Sequence, residues 1–340
     1  MKQGEFLNGF RVLTKPIGGG QGQWAIAERG GRQYFIKMFL KPKYPRVDGP
    51  GSEAVKQRLI QECEAFELRN RHLNVSINPR QLGAGNLVVT LEIFRLGSIY
   101  YKVTDVIIPA KVKTLAELHP HQALTVIRTM LLSIRLLHRA GFVHGDLKPD
   151  NVIIQETRPG VFVSKVIDFD DGYVSGHPPA EPVGDPPFYS PELFLFVKSN
   201  ALVKPENLTT ASDVFAAGVL LHLMITGEPP DFDRERYKLP CEAAINGALS
   251  ISKVQGPLKA WLEQMLNREP ALRPTIDDVT GFFLSMKPEE LNEHLGSLRE
   301  LRKGSRPSEL RSSVARTAGV GQPESGSTSP GLKSTIRKSD

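Results

Sequence analysis

The sequence predicts an α+β chain of two lobes: a small antiparallel β-rich first lobe with one key helix, then a larger, mainly helical second lobe and a disordered tail. Residues 10 to 39 alternate short apolar runs with Gly-rich turns, which is the spacing of an antiparallel meander. From Thr114 onward the texture changes to longer segments with helical periodicity. From Lys303 the chain is rich in Gly, Ser and Pro and too poor in apolar residues to bury a core by itself. Strands on one side and helices on the other leave a cleft between them, where a site would sit.

The first-lobe strands are expected at Phe10 to Leu13, Trp24 to Ala27 and Tyr34 to Phe39. A Pro/Gly loop follows from Lys41 to Ser52. Glu53 to Arg71 then carries helical periodicity through Val55, Leu59, Cys63, Phe66 and the adjacent Leu68. Further strands are expected around Leu87 to Phe94 and Tyr100 to Ile107, and helices at Gln122 to Ala140, Ser212 to Thr226 and Pro257 to Asn267. The expected domain is residues 10–284, divided near residue 107, with a helical extension over 285–302 and a basic tail over 303–340.

Of 340 residues, 40% are hydrophobic and 24% charged, enough for one large two-lobed core and an appendage. The most apolar stretch, Val214 to Ile225, is interrupted by Gly218 and His222 and is too short to span a bilayer. Met1 to Glu5 leads into no apolar run of signal-peptide length, and two cysteines, Cys63 and Cys241, fit a reducing compartment. A cytoplasmic protein without membrane association is therefore expected. The net charge of +6 sits mostly on the tail, where Lys303, Arg306, Arg311, Arg316, Lys333, Arg337 and Lys338 face only Glu309, Glu324 and Asp340. No helix carries a basic face interleaved with aromatics, so a nucleic-acid partner is not expected.

The chemistry is concentrated in His144-Gly145-Asp146-Leu147-Lys148-Pro149-Asp150-Asn151 and in Asp168-Phe169, 17 residues beyond Asn151. Phosphoryl transfer needs a carboxylate to orient the attacking hydroxyl, a cation on the moving phosphoryl group and oxygen ligands for Mg²⁺. Asp146, Lys148 and the pair Asn151 and Asp168 are of the types required, in that order. Upstream, Ile17 to Trp24 contains Gly18, Gly20 and Gly22 between two expected strands, where bare backbone can offer N–H groups to phosphates. Its fit to G-x-G-x-x-G is imperfect from either end. Lys37 follows on an otherwise apolar strand and needs an anionic ligand and a carboxylate partner. Glu62 on the next helix is the expected partner, with Glu64 and Glu67 as competitors.

Over about residues 10 to 284 the chain resembles the eukaryotic-type serine/threonine protein kinases, of the kind also found in bacteria. Besides the two motifs above, Ser190-Pro191-Glu192 resembles the element that closes the family's activation segment. Ser212 to Gly218 resembles the buried helix start whose Asp braces the catalytic loop. Leu266 to Pro274 resembles the late element whose Arg, here Arg273, pairs with the Glu at 192. The resemblance implies ATP and Mg²⁺ as cofactors and a protein Ser/Thr hydroxyl as acceptor. Asp146 would orient that hydroxyl, Lys148 would neutralise the transferring phosphate, and Asn151 and Asp168 would hold the metal. Tyr101 to Ile107 resembles the strand entering the hinge, with Thr104 guarding the back pocket and the backbone at Val106 meeting the adenine edge. His144 is expected to be scaffold.

Three departures carry consequences. Gly145 stands where many kinases have the Arg that reads an activation-segment phosphate, so activity is expected not to be gated by that phosphorylation. Asp170 replaces the usual Gly after Asp168-Phe169 and reads as a solvated acid or an added metal-side carboxylate. Asp185 occupies the place of a bridging Thr and would repel Asp146 unless Lys148 sits between them. Two alternatives stand beside a protein kinase: a small-molecule kinase, since His-Gly-Asp also opens sugar and antibiotic phosphotransferase loops, and a nucleotide-binding pseudokinase scaffold. The tail hydroxyls, among them Ser305, Ser308, Ser312, Ser313, Thr317 and Ser329, are the expected sites of any autophosphorylation.

Overall fold

Alternation of apolar and polar residues in the first third builds a twisted antiparallel sheet. The computed structural model describes residues 1–19, 22–46, 48–77, 86–112, 114–182, 184–199 and 203–304. Strands β1 (Phe6–Leu7), β2 (Phe10–Val12), β3 (Ile17–Gly19), β4 (Gly22–Arg29), β5 (Arg32–Phe39), β6 (Thr90–Leu96) and β7 (Ile99–Asp105) form one sheet. Its order is β1-β2-β4-β5-β7-β6, with β3 pairing β4, and the paired strands run antiparallel. One face buries Phe10, Ala25, Ala27, Ile36, Tyr101 and Val103. Side chains alternate along a strand, so Lys37 and Phe39 of β5, with Tyr100 and Lys102 of β7, share the opposite face.

That opposite face is covered by α1 (Glu53–Ser76), whose first turn is capped by Ser52 Oγ accepting from Val55 N at 3.4 Å. Cys63 and Phe66 of α1 pack on Phe39 and Tyr100, with the Phe66 ring centroid 5.1 Å from each of those rings. The helix runs beyond the expected Arg71 because Leu73 is buried in the core of the second lobe. Leu87, expected to open a strand, instead forms an isolated parallel bridge to Val166, and β6 begins at Thr90.

The second lobe is built on α2 (Pro120–Arg139) and α4 (Ala211–Thr226). In α2, Leu124, Ile127, Leu131 and Ile134 recur at three and four residues and are fully buried. The α4 helix is apolar nearly all round, as a helix enclosed by its neighbours must be, and Gly227 terminates it at φ 81°. Around these lie α3 (Pro191–Lys198), α5 (Pro240–Ile245), α6 (Gly256–Met265), α7 (Ile276–Ser285) and α8 (Pro288–Gly304). Leu291 and Leu295 of α8 are buried in the same core, which ties the extension to the lobe.

The second lobe also holds strands that helical periodicity does not reveal. β8 (Phe142–Val143) pairs β11 (Tyr173–Val174), and β9 (Val152–Arg158) pairs β10 (Val161–Val166), both antiparallel. These two ladders bracket the motif residues: 144–151 join β8 to β9, and 167–172 join β10 to β11. The tail from residue 305 lies outside the described residues.

Candidate active site

The loop from His144 to Asn151 is fixed from beneath by Asp213 in the first turn of α4. Asp213 Oδ2 accepts from His144 N at 2.6 Å and Oδ1 from Gly145 N at 3.1 Å, and Oδ2 lies 2.9 Å from His138 Nε2. Burial alone would raise the Asp213 pKa, but the His138 bond and the His144 contacts outweigh it and hold the carboxyl below its usual range. His144 is fully buried. Its Nδ1 accepts from Asp146 N at 3.3 Å, so Nε2 carries the proton and donates to Ile167 O at 3.1 Å. His144 therefore joins the loop to the strand end before Asp168, the scaffold role expected of it.

Asp146 is 8% exposed. Its Oδ2 accepts from Lys148 Nζ at 2.6 Å and from Asn151 Nδ2 at 3.0 Å, and Asn151 Nδ2 also donates to Asp146 O at 2.7 Å. The other oxygen, Oδ1, is buried and makes no hydrogen bond. A buried carboxylate oxygen left this way is costly unless something else supplies a proton donor. Asp146 borders a recess shared with Asp185, Phe188, Tyr189 and Ser190. Burial opposes the charge on Lys148, yet the Asp146 bond and the charges of Asp146, Asp185 and Asp168 raise its pKa. Lys148 is thus held as a cation among three carboxylates. Asp185 is pushed up by burial and by Asp146 and Asp150, with Lys148 opposing.

Asp168 is the other half of the site. It sits at φ 57°, a left-handed backbone that a non-glycine residue adopts only at some cost in energy. Phe169 beside it is buried and anchors the turn. Ile167 N donates to Asn151 O at 3.0 Å, which pins the residue before Asp168 to the candidate ligand Asn151. Among the described residues no group of three or more His, Cys, Asp or Glu could hold a metal alone. One carboxylate and one amide oxygen nevertheless suit Mg²⁺, which takes few protein ligands and completes its shell with phosphates and water. The Asp168 side chain is 36% exposed and open to such an ion.

Lys37 does not meet Glu62. Its Nζ lies 2.7 Å from Asp168 Oδ1 and 2.7 Å from Asp170 Oδ2. Glu62 is on the exposed face of α1 and pairs with Arg58 Nε at 3.1 Å. Glu64 is exposed as well, and Glu67 Oε1 accepts from Tyr100 Oη at 2.5 Å. The expected Lys37–Glu62 pair is therefore corrected: the phase of the helix turns Glu62 outward, and the partners come from 131 and 133 residues away. Asp170 is not a solvated acid either. It is enclosed between Lys37 and Lys102, whose Nζ donates to Asp170 Oδ1 and lies 3.9 Å from Asp168 Oδ1.

Lys102 was missed by sequence reasoning, though a lysine in the apolar run Tyr100 to Val103 had to find a carboxylate if buried. It is the direct cross-strand partner of Lys37. Burial opposes ionisation of Lys37, but Asp170 and Asp168 more than offset it and hold the ammonium well above its ordinary range. Asp170, flanked by two ammonium groups despite its burial, is held well below the usual carboxylate range.

Of the glycine segment, Gly18 pairs Gln23 and Gly19 pairs Gly22, so the segment is a tight hairpin. Gly20 lies outside the described residues. A Cβ on Gly22 would fall 2.3 Å from Met38 O, so this glycine is required by the approach of β5. Gly18 has open space around its Cα. Thr104 is buried at the end of β7, its Oγ1 donating to Asp105 O at 3.3 Å, and Val106 is half-buried just past the strand. Farther off, Arg273 makes a buried two-point pair with Glu192, Nη1–Oε1 and Nη2–Oε2 both 2.7 Å, the pairing the resemblance implied.

Comparison with known families finds a match to the protein kinase domain over residues 25–282, more than half of the chain. Among curated proteins, sperm motility kinase 3A of Mus musculus is 31% identical over 167 residues, 48% of this chain and 30% of that protein. Ribosomal protein S6 kinase alpha-4 of Mus musculus is 24% identical over 238 residues, 68% of this chain and 27% of that protein. Death-associated protein kinase dapk-1 of Caenorhabditis elegans is 27% identical over 228 residues, 62% of this chain and 14% of that protein. The chain thus spans less than a third of the length of these curated relatives.

Proposed function

The chain belongs to the protein kinase domain family, and on that premise we propose that it transfers the terminal phosphoryl group of ATP, with Mg²⁺, to Ser/Thr hydroxyls of protein substrates. The observation that carries this reading is Asp146: one carboxylate oxygen is held by Lys148 and Asn151, and the other is buried without a hydrogen-bond partner on a residue that borders a small recess. An acceptor hydroxyl donating to Oδ1 would be oriented for attack, and its proton would pass to that oxygen. Lys148, kept charged by its carboxylate neighbours, would neutralise the phosphoryl group as it moves. Lys37 would hold the nucleotide phosphates under the glycine hairpin, while Thr104 and the backbone at Val106 would border the adenine. Mg²⁺, held by Asp168 and Asn151, would supply charge neutralisation on the phosphates.

On this reading activity needs no activation-segment phosphate. Gly145 has φ 80°, and a Cβ there would lie 3.0 Å from Asp171 O, so no basic side chain reaches out from this position. Phosphatase treatment should leave the rate unchanged; a loss of most activity would contradict this. Any autophosphorylation should concentrate in the tail beyond residue 304, and phosphate found only within residues 160–192 after incubation with ATP would oppose it. Among the described residues no helix is long and apolar enough to cross a membrane. The decisive assay compares label transfer from ATP by the wild type and by Asp146→Ala, with a generic protein substrate and a small-molecule panel. Transfer to protein Ser/Thr by the wild type alone is expected. Transfer only to small molecules would assign a small-molecule kinase, and no transfer despite nucleotide binding would assign a scaffold.

A further inference from the structure

Lys37 takes its carboxylates from the turn after β10, and α1 contributes none. Its Nζ is bound by Asp168 and Asp170, whereas Glu62 pairs with Arg58 and Glu67 accepts from Tyr100. We propose that Asp170 is the positioning residue for Lys37 and that Lys102 is its counter-ion, so that the hold on Lys37 does not depend on where α1 sits. The inference rests on the reading of Lys37 as the ligand of the nucleotide phosphates.

The charges explain why the two residues occur together. Lys37 and Lys102 face each other across β5 and β7 and are both buried, at 8% and 5% exposure. With Asp168 as their only carboxylate they would repel each other and draw Asp168 inward. Asp170 lies between them, 8% exposed, with one oxygen on each ammonium. Asp168, at 36% exposure, then remains open on one side to a cation. A glycine at 170 could not do this, and an Asp at 170 without Lys102 would leave two neighbouring carboxylates to share the single Lys37 ammonium.

The test uses the full-length chain and four variants: Asp170→Asn, Lys102→Met, the double Lys102→Met/Asp170→Asn, and Glu62→Gln. The readouts are the dissociation constant for ADP with Mg²⁺, the KM for ATP against kcat, and the acetylation rate of Lys37 by brief acetic anhydride treatment of the nucleotide-free protein. Circular dichroism monitors folding. Asp170→Asn should weaken ADP binding about ten-fold and raise Lys37 acetylation by at least about five-fold, through loss of a buried charge-assisted bond. The double variant should recover much of that loss, because removing Lys102 restores one carboxylate to one ammonium; a merely structural role would make it worse. Glu62→Gln should stay within about two-fold of wild type in both readouts.

The proposal is overturned if Glu62→Gln releases Lys37 as strongly as Asp170→Asn does, or if folded Asp170→Asn keeps wild-type affinity and protection. Should Asp170→Asn not fold, Glu62→Gln and Lys102→Met decide: the first must keep Lys37 protected and the second must weaken ADP binding. Failure of the phosphotransfer reading is seen separately, as a wild type that transfers no phosphate although its Lys37 responds as stated.

Discussion

Replacing Arg273 with Ala should cost this protein a large share of its stability. The guanidinium donates two 2.7 Å bonds to Glu192, one of 2.8 Å to Ala211 O, one of 2.7 Å to Asn267 O and one of 3.2 Å to Arg268 O. Its side chain is fully buried and that of Glu192 is 6% exposed. In the variant, Glu192 would keep the bond from Ser212 Oγ, at 2.9 Å, but lose its counter-ion inside the protein. Stranding one partner of a buried pair costs about 3–5 kcal/mol, against a typical total of about 5–15 kcal/mol. At about 2–4 °C per kcal/mol, that is a fall in Tm of about 10 °C. A urea titration with a matching thermal melt reads the loss directly. The double variant Glu192→Gln/Arg273→Met should be less damaged than the two single losses added, since no bare charge remains. A Tm within 2 °C of wild type for Arg273→Ala would refute the assignment of this pair as a brace. Activity should fall as well, because Glu192 opens α3 directly after the segment that lines the Asp146 recess.

Lys148→Ala should lower kcat by about 10²–10³-fold while leaving ADP affinity nearly intact, as measured by steady-state kinetics and calorimetry. Gly145→Ala forces a side chain into φ 80° with Asp171 O 3.0 Å from the new Cβ, and a loss of about 1–3 kcal/mol in urea unfolding is expected. The Asp213 carboxyl is held below its usual range, so its contribution is fully present above the ordinary carboxylate pKa of about 4 and is lost as pH falls through the lower folded value. Asp213→Asn should therefore lower the urea midpoint at pH 7 and flatten its decline below about pH 4; a variant declining as steeply as wild type would contradict this.

The candidate catalytic stretch was legible because its contacts are local. Asp146, Lys148 and Asn151 lie within six residues and meet through bonds of 2.6 and 3.0 Å. Arg273 with Glu192, and Asp213 beneath the loop, were legible through resemblance alone, since nothing in their spacing brings residues 81 or 69 positions apart together. The partner of Lys37 was not legible. The periodicity runs through Cys63 and Phe66, which take the buried face, and Glu62, one residue before Cys63, falls on the exposed side, while the acids that do reach Lys37 lie on a distant turn that no helical pattern points to. The apolar run around Lys102 carried a signal that passed unused, because a lysine in a buried strand implies a hidden acid. Strands β8 and β11 are two residues each, too short for any periodicity to register. The need for glycine at 22 comes from the close approach of Met38 O on the neighbouring strand, which composition cannot express.

The central claim is that Asp146 orients and deprotonates the acceptor hydroxyl. The most direct measurement is kcat for phosphate transfer to protein Ser/Thr at saturating ATP in Asp146→Asn, beside its ADP affinity. A fall in kcat of about 10²-fold or more with affinity within about three-fold of wild type is the predicted result. A variant that turns over at the wild-type rate would contradict it.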